Sequence, residues 1–80
     1  MKLGVYSLKK VLYQGTARAV NCKTEAGEIT VLQHHRPLIS VLQKGVIKIT
    51  DENEKDHYIQ VNAGFLEVSN NDARIIVDTN

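Results

Sequence analysis

The sequence predicts an all-β fold, a flattened sandwich or barrel of about ten short, mostly antiparallel strands. Hydrophobic and polar residues alternate with a period of two along most of the chain, which is typical of strands with one buried face. Turn-forming residues separate these stretches at intervals of roughly 8 to 12 residues, the spacing common in sandwiches and barrels. No segment carries an extended helical pattern.

The length predicts a single domain over residues 1–80. A chain of 80 residues buries roughly 60 to 65% of the surface that its unfolded form exposes, which is enough for one two-layer core. Aromatic residues make up only 5% and tryptophan is absent. The core is therefore expected to consist of valine, isoleucine and leucine.

The alternation also predicts which side chains face that core, because every second residue of a strand points to the same side of the sheet. The predicted inward residues are Leu3 and Val5; Ala17, Ala19 and, after a slip in register, Cys22; Ile47 and Ile49; Ile59 and Val61; Leu66 and Val68; and Ala73, Ile75 and Val77.

Reversals of the chain are expected where glycine, asparagine and aspartate cluster, since these residues suit tight turns. The predicted reversals are residues 14–15, 25–27, 44–45, 51–56 and 70–72, with 51–56 forming an exposed hairpin tip.

Residues 7–15 allow two interpretations. Leu8, Val11 and Leu12 have helical spacing, with Ser7 as a possible N-cap. A helix of about two turns is too short to be stable alone. We therefore expect a turn at residues 8–10 followed by a strand from Val11.

The composition argues against nucleic acid and membrane insertion. The net charge is +1, which gives no basic footprint for a nucleic acid. The longest apolar run is three residues, whereas a bilayer span needs about 20. The lone Cys22 cannot form an internal disulfide, which fits a reducing compartment, and it is expected to be a small buried hydrophobe.

No catalytic, cofactor-binding or metal-binding residues are predicted. His34 and His35 are adjacent and would point to opposite faces of a strand, and no H-x-H or H-E-x-x-H spacing is present. No serine lies in a nucleophile motif, and the carboxylates at 51–56 are expected to be solvated, with pKa values of no catalytic use. The chain is therefore not expected to be an enzyme.

A stand-alone β-sandwich binding or carrier module of the lipoyl or biotinyl type is the alternative. Such modules present a lysine at a hairpin tip, and Lys55 occupies the 51–56 tip. A lipoyl or biotinyl adduct on Lys55, detected by mass spectrometry, would favour it.

Four motifs point to a known family: Gly27-Glu28, His35-Arg36-Pro37-Leu38, the segment 45–49 with sequence GVIKI, and the segment 64–68 with sequence GFLEV. In this order and at these spacings the chain resembles the N-terminal β-sandwich domain of the epsilon subunit of F-type ATP synthase. The resemblance extends over the whole chain and is most diffuse at the N-terminus.

The resemblance implies a non-catalytic central-stalk subunit that links the gamma subunit to the c-ring and couples ion flow to ATP synthesis. It would lie peripherally at the cytoplasmic face of the inner, or equivalent energy-coupling, membrane. Ala26, Gly27, Glu28 and Ile29 match the part that contacts the c-ring. His35, Pro37 and Leu38 match the side that packs on gamma. An unoccupied apolar strip or edge would also permit a non-physiological homodimer.

The chain departs from the family pattern at several positions near these surfaces. Thr30 replaces a usual glycine, Gln33 a frequent proline and Arg36 a small residue, and 62–64 replaces a segment with a Gly-Gly pair. Most members continue into two C-terminal helices that can inhibit ATP hydrolysis. We expect these 80 residues to assemble and couple the rotor without that inhibition, which an ATPase assay on the reconstituted complex would test.

Overall fold

The computed structural model describes residues 1–79, which form eight β-strands and no helix. The strands are β1 Lys2–Tyr6, β2 Val11–Thr24, β3 Gly27–Leu32, β4 Leu38–Leu42, β5 Gly45–Asp51, β6 Asp56–Val61, β7 Ala63–Ser69 and β8 Asp72–Asp78. The all-β prediction is confirmed, with eight strands rather than about ten. Within the described part of the chain there is accordingly no helix that is long and apolar enough to cross a membrane.

The sheet folds over on itself because β2 belongs to both of its halves. One half has the order β4-β7-β8-β1 and ends on the first part of β2. In the other half, the second part of β2 lies between β3 and β5, and β6 follows β5. Only the β1–β8 pair is parallel among the strand pairs of residues 1–79, so the prediction of mostly antiparallel strands is confirmed.

Strand β2 is longer than the sequence suggests. The predicted reversal at 14–15 is wrong, because Gln14 and Gly15 stay paired with Gly4 and Leu3 of β1. The chain instead changes from one half of the sheet to the other near Ala17, where a register shift interrupts the pairing with β5. At this shift β2 has one residue more than β5. As a result, the buried residues are Ala17, Val20 and Cys22, and Ala19 is only half-buried. A slip before Cys22 does occur, but it lies between Ala17 and Ala19, so the prediction that Ala19 points inward is wrong.

The core contains almost all of the predicted inward residues. The buried members of that set are Leu3, Val5, Ala17, Cys22, Ile47, Ile49, Val61, Leu66, Val68, Ala73, Ile75 and Val77, while Ile59 is half-buried and packs against them. No aromatic side chain belongs to the buried core of residues 1–79, as the composition predicts. Burial of the aliphatic side chains of this core is the main force that closes the two halves of the sheet.

The turns have the backbone that their residues favour. The β7–β8 hairpin turns at Asn70 and Asn71, whose φ angles are 53° and 57°. Asparagine tolerates this left-handed conformation better than most residues, and paired positive φ angles match the twist of a tight hairpin. The predicted reversals at 25–27, 51–56 and 70–72 are confirmed.

The chain between β1 and β2 is a turn rather than a helix. Ser7 Oγ accepts hydrogen bonds from the backbone N–H groups of Lys9 at 3.4 Å and Lys10 at 3.3 Å. The Ser7 N–H donates to the Lys10 carbonyl oxygen at 2.9 Å. The expected turn at 8–10 and the strand from Val11 are confirmed, and Ser7 organises a turn instead of capping a helix.

Candidate docking surfaces

The loop predicted to contact the c-ring is shaped by one buried hydroxyl. Thr24 Oγ1 donates to the Gly27 carbonyl oxygen at 2.8 Å and accepts from the Ala26 N–H at 3.1 Å. Gly27 closes the turn with a φ of 121°, a conformation that side chains rarely allow. Ala26, Gly27 and Glu28 are consequently presented to solvent, whereas Ile29 is half-buried and packs against the core.

Glu28 is held by a neighbouring strand. Asn21 Nδ2 on β2 lies 3.1 Å from Glu28 Oε2 and 2.9 Å from Thr30 Oγ1. Asn21 is directly opposite Thr30 in the β2–β3 pairing, which makes Glu28 its diagonal neighbour on the same face. This arrangement fixes the side of the sheet to which the carboxylate points.

The second predicted patch lies in the turn between β3 and β4. The His34 N–H donates to Asn71 Oδ1 at 2.8 Å, which ties this turn to the β7–β8 turn. His34 has a φ of 61°, and His34 and His35 lie in the turn rather than in a strand. His35 Nδ1 is 2.7 Å from the Arg36 carbonyl oxygen, which only accepts, so this contact favours the tautomer protonated at Nδ1.

The two predicted patches lie at opposite ends of β3. The loop that contains Glu28 opens this six-residue strand and the turn that contains His35 follows it. A strand of this length spans about 20 Å, while the molecule measures 28 × 24 × 18 Å. Different partners can therefore bind the two patches at the same time.

Strand β4 divides its side chains between core and solvent. Leu38 is half-buried and packs against the core, so only part of it is available to a partner. Ile39 and Val41 point outward and are 69% and 48% exposed. These residues continue the surface that begins at His35 and Pro37.

Val41 begins a row of apolar side chains that crosses five strands. Val41 is opposite Phe65, Phe65 opposite Ile76, Ile76 opposite Tyr6 and Tyr6 opposite Val11. With neighbouring strands about 4.8 Å apart, this apolar row is about 19 Å long. Phe65 is 46% exposed and Ile76 53%. The row was not predicted from the sequence. The signal for it was the pairs Phe65-Leu66 and Ile75-Ile76, which place apolar residues on both faces of β7 and β8.

Tyr6 lies flat on the sheet within this row. A Cβ atom added at Gly4 would overlap the ring of Tyr6, and would come within 2.6 Å of its Cε2 atom. Gly4 therefore provides the space for the ring, as glycine does elsewhere in sheets that carry an aromatic neighbour. The result is a flat outer face instead of a projecting aromatic side chain.

The β5–β6 hairpin tip carries a cluster of polar contacts. Asp51 Oδ1 accepts from the backbone N–H groups of Asn53 at 2.8 Å and Lys55 at 3.0 Å, and Asp51 Oδ2 lies 2.8 Å from His57 Nε2. The ring of Tyr13 meets that of His57 edge-on, with centroids 5.3 Å apart. These contacts, led by the His57 hydrogen bond, hold the pKa of Asp51 below its ordinary value of 3.8. The lowered pKa keeps Asp51 ionised at neutral pH, which agrees with the expectation that the carboxylates of this tip have pKa values of no catalytic use.

Nothing in this arrangement resembles a catalytic centre. Within residues 1–79, no three histidine, cysteine or acidic residues are placed to hold a metal ion. The contacts of Asp51 and His57 are those of a turn, since two of the three hydrogen bonds to Asp51 come from its own backbone segment.

Sequence comparison connects this domain to one family. The model of the ATP synthase delta/epsilon chain β-sandwich domain matches residues 1–80, including the Lys55 turn, and so favours this family over a carrier module. The ATP synthase epsilon chain of Acinetobacter baumannii strain SDF is 34% identical over 79 residues, which are 99% of this chain and 57% of that protein. The epsilon chain of Acinetobacter baylyi is 33% identical, with the same coverage of both chains. The chain thus spans little more than half the length of these relatives.

Solved structures share the fold. A chain of the Euglena gracilis mitochondrial ATP synthase, in a structure of OSCP, F1 and c-ring, matches 94% of this chain and 48% of its own length, with a TM-score of 0.87 and 22% identity. A chain of the Tetrahymena thermophila mitochondrial ATP synthase central stalk and c-ring matches 96% of this chain and 62% of its own length, with a TM-score of 0.80 and 18% identity. Together with the family match, the sandwich and its motifs show that this chain belongs to the ATP synthase delta/epsilon family and carries its β-sandwich domain.

Proposed function

We propose that residues 1–80 form a single, non-catalytic domain of the central stalk of an F-type ATP synthase. It joins the gamma subunit to the c-ring and so helps to couple ion flow to ATP synthesis. The observation that carries this proposal is the family match over residues 1–80. The chain spans 57% of the length of the Acinetobacter baumannii strain SDF relative, so the coupling role of the whole subunit is part of the proposal.

The partners follow from the assemblies in which similar folds occur. The Tetrahymena structure is of the central stalk and c-ring, and the Euglena structure contains F1 and the c-ring. A domain in that position is peripheral to the membrane and reaches it through the complex. By analogy we place it at the cytoplasmic, or equivalent, face.

The loop at 26–29 is the proposed c-ring contact. Ala26, Gly27 and Glu28 are exposed at one end of the sandwich, on a turn that Thr24 braces from inside. Ile29 supports the loop from the core side. A short, polar, braced loop suits contact with the polar loops of a ring, because little conformational freedom is lost on binding.

The proposed gamma contact begins at His35, Pro37 and Leu38 and extends along the apolar row. Exposed contiguous apolar surface is uncommon on a protein that works alone and marks interaction sites. The row begins at Val41 on β4, the strand that follows His35 and Pro37. It supplies the apolar centre of an interface, and His35 and Arg36 supply part of its polar rim.

Isothermal titration calorimetry of this chain against purified gamma subunit from the same source tests the proposal. We expect saturable one-to-one binding that His35→Ala, Leu38→Ala and Phe65→Ser each weaken, with Phe65→Ser reducing affinity about tenfold or more because it lies mid-row. Tyr58→Ser is the matched control, since Tyr58 is 64% exposed on the other half of the sheet. Thermal melts identify any loss that comes from unfolding. Absence of binding at tens of micromolar would contradict the proposal.

A further inference from the structure

The carboxylate of Glu28 is aligned by a chain of hydrogen bonds that spans two strands. Both hydrogens of the Asn21 amide nitrogen have an acceptor, with Thr30 Oγ1 at 2.9 Å and Glu28 Oε2 at 3.1 Å. An amide nitrogen has two hydrogens in one plane. The Thr30 contact therefore fixes the plane of the Asn21 amide, and that plane fixes where the Glu28 oxygen is held.

Within residues 1–79, the charge of Glu28 has no partner of opposite sign. Glu28 takes part in none of the ion pairs there. Lys23 is directly opposite Glu28 in the β2–β3 pairing, but its aliphatic stem passes over Gly45, with Cδ 3.1 Å from the position of a Cβ on that glycine. Lys23 is thus drawn towards β5, and the second carboxylate oxygen, Oε1, makes no hydrogen bond within the described chain.

We propose that Asn21, held by Thr30, is a positioning residue that aims the Glu28 carboxylate at a cationic side chain of the c-ring. This inference rests on the proposed function, in which Glu28 contacts the ring. An unneutralised carboxylate with one oxygen held and one available is suited to a charge-assisted hydrogen bond from lysine or arginine. Asn21 acts through Glu28 and does not itself contact the ring.

Alignment before binding matters because glutamate has a long and flexible side chain. A free glutamate loses rotamer freedom when it docks, and that loss subtracts from affinity. The Asn21 amide removes part of this freedom in the unbound domain. Since all three side chains lie on the surface, the bonds contribute little to folding and their main effect is on geometry.

The test measures the affinity of the complex of this chain with gamma for detergent-solubilised c-ring, by biolayer interferometry at low and physiological salt. Thr30→Val keeps the shape of the side chain but removes the acceptor that fixes Asn21. We expect it to lower ring affinity about three- to tenfold, as for the loss of one hydrogen bond. Thr30→Ser keeps the hydroxyl and is expected to bind nearly as the wild type does.

Thr50→Val is the matched control. Thr50 lies on the same face of the sheet and donates to Asp56 Oδ1 at 2.8 Å, so its hydroxyl also makes a surface hydrogen bond, but one remote from Glu28. It should leave ring affinity unchanged. Gamma affinity and melting temperature should be unchanged in every variant, which a merely structural role for Thr30 would not predict.

A double-mutant cycle separates this inference from the proposed function. Asn21→Ala alone should weaken ring binding, whereas in a Glu28→Gln background it should have no further effect. If Glu28→Gln weakens ring binding but Asn21→Ala and Thr30→Val do not, the positioning role is wrong and the proposed function stands. If Thr50→Val weakens binding as much as Thr30→Val, the positioning role is also wrong. If the wild-type complex does not bind the ring, both are wrong.

Discussion

The surroundings of Cys22 suppress the reactivity of its thiol. Its side chain is 1% exposed within the core, and burial raises the pKa of the thiol to about 11. The thiolate is the reactive form of cysteine, and here it is both scarce and shielded from solvent. The residue therefore acts as a small apolar side chain, as the sequence predicts.

We predict that native Cys22 reacts with Ellman's reagent only as fast as the domain unfolds. In denaturant the thiol becomes exposed, its pKa returns to the ordinary range, and labelling should be complete at once. The measurement is the absorbance time course with and without guanidinium chloride. Rapid stoichiometric labelling of the folded domain would show that the thiol is accessible.

In Asp51, unlike in Cys22, the charged form of the side chain is stabilised. The hydrogen bond from His57 and those from the backbone of Lys55 and Asn53 lower its pKa from 3.8. A lowered pKa in the folded state means that the unfolded chain binds the proton more tightly. The resulting stability is complete above the ordinary pKa and is lost as pH falls through the lower, folded-state value.

We predict that Asp51→Asn lowers the melting temperature at neutral pH and that the difference from the wild type disappears as pH falls below about 3.8, the ordinary pKa of this carboxyl. Calorimetry at several pH values measures it. Glu52→Gln, in the same turn, is the control and should give a much smaller difference. A wild-type advantage that persists at the acid end would contradict the assignment of the stabilising contact to the carboxylate.

Strands β5, β7 and β8 and their inward residues could be predicted from period-two alternation, because each has one buried row. Predicted reversals also flank β5 and separate β7 from β8. The course of β2 could not. A glycine such as Gly15 normally indicates a turn, yet here the strand runs through it and bends later, at the Ala17–Ala19 register shift. Pairing between distant strands decides this, and local sequence carries no direct signal for it.

Gly64 lies where β7 and β8 approach too closely for a side chain. A Cβ at this position would lie 2.7 Å from the backbone carbonyl oxygen of Ile76 on β8, and backbone cannot move aside cheaply. Gly45, by contrast, would place its Cβ 3.1 Å from the flexible Lys23 side chain. The residues 62–64 thus retain one glycine of the family's usual pair, at the position where the strands approach closely.

We predict that Gly64→Ala destabilises the domain by about 1 to 3 kcal/mol, the usual cost of forcing extra volume between packed elements. Gly45→Ala, the matched control, should change stability by less than about 0.5 kcal/mol. Urea unfolding followed by circular dichroism measures both. Equal effects of the two substitutions would show that loss of glycine as such, and not the Ile76 carbonyl, sets the cost.

At the scale of the whole molecule, the sandwich is a small rigid block with different chemistry on different surfaces. The loop with Glu28 is polar and braced, whereas the apolar row of Val41, Phe65, Ile76, Tyr6 and Val11 is flat. The polar loop could be located from the sequence through the Gly27-Glu28 motif. The row as a whole could not, because its members become neighbours only through the pairing order β4-β7-β8-β1-β2. The sequence signals only that β7 and β8 carry apolar residues on both faces.

The flatness of the row depends on Gly4. We predict that Gly4→Ala lifts the Tyr6 ring off the sheet and weakens gamma binding about three- to tenfold, since a raised ring prevents close packing. Stability should change by less than about 1 kcal/mol because only a half-buried side chain on the outer face moves. Calorimetric titration and thermal melts measure the two effects. In a Tyr6→Ala background, Gly4→Ala should have no further effect on gamma affinity, and a persistent loss would contradict the role of the ring.

The proposed role requires one small domain to bind gamma and the c-ring at the same time. The most direct test immobilises the c-ring and measures how much gamma it retains as this chain is added. We predict that retained gamma rises and saturates at one chain per gamma. Phe65→Ser should remove this rise through the gamma side and Glu28→Gln should reduce it through the ring side. If the chain leaves gamma retention unchanged at saturating concentration, the domain does not join the two partners.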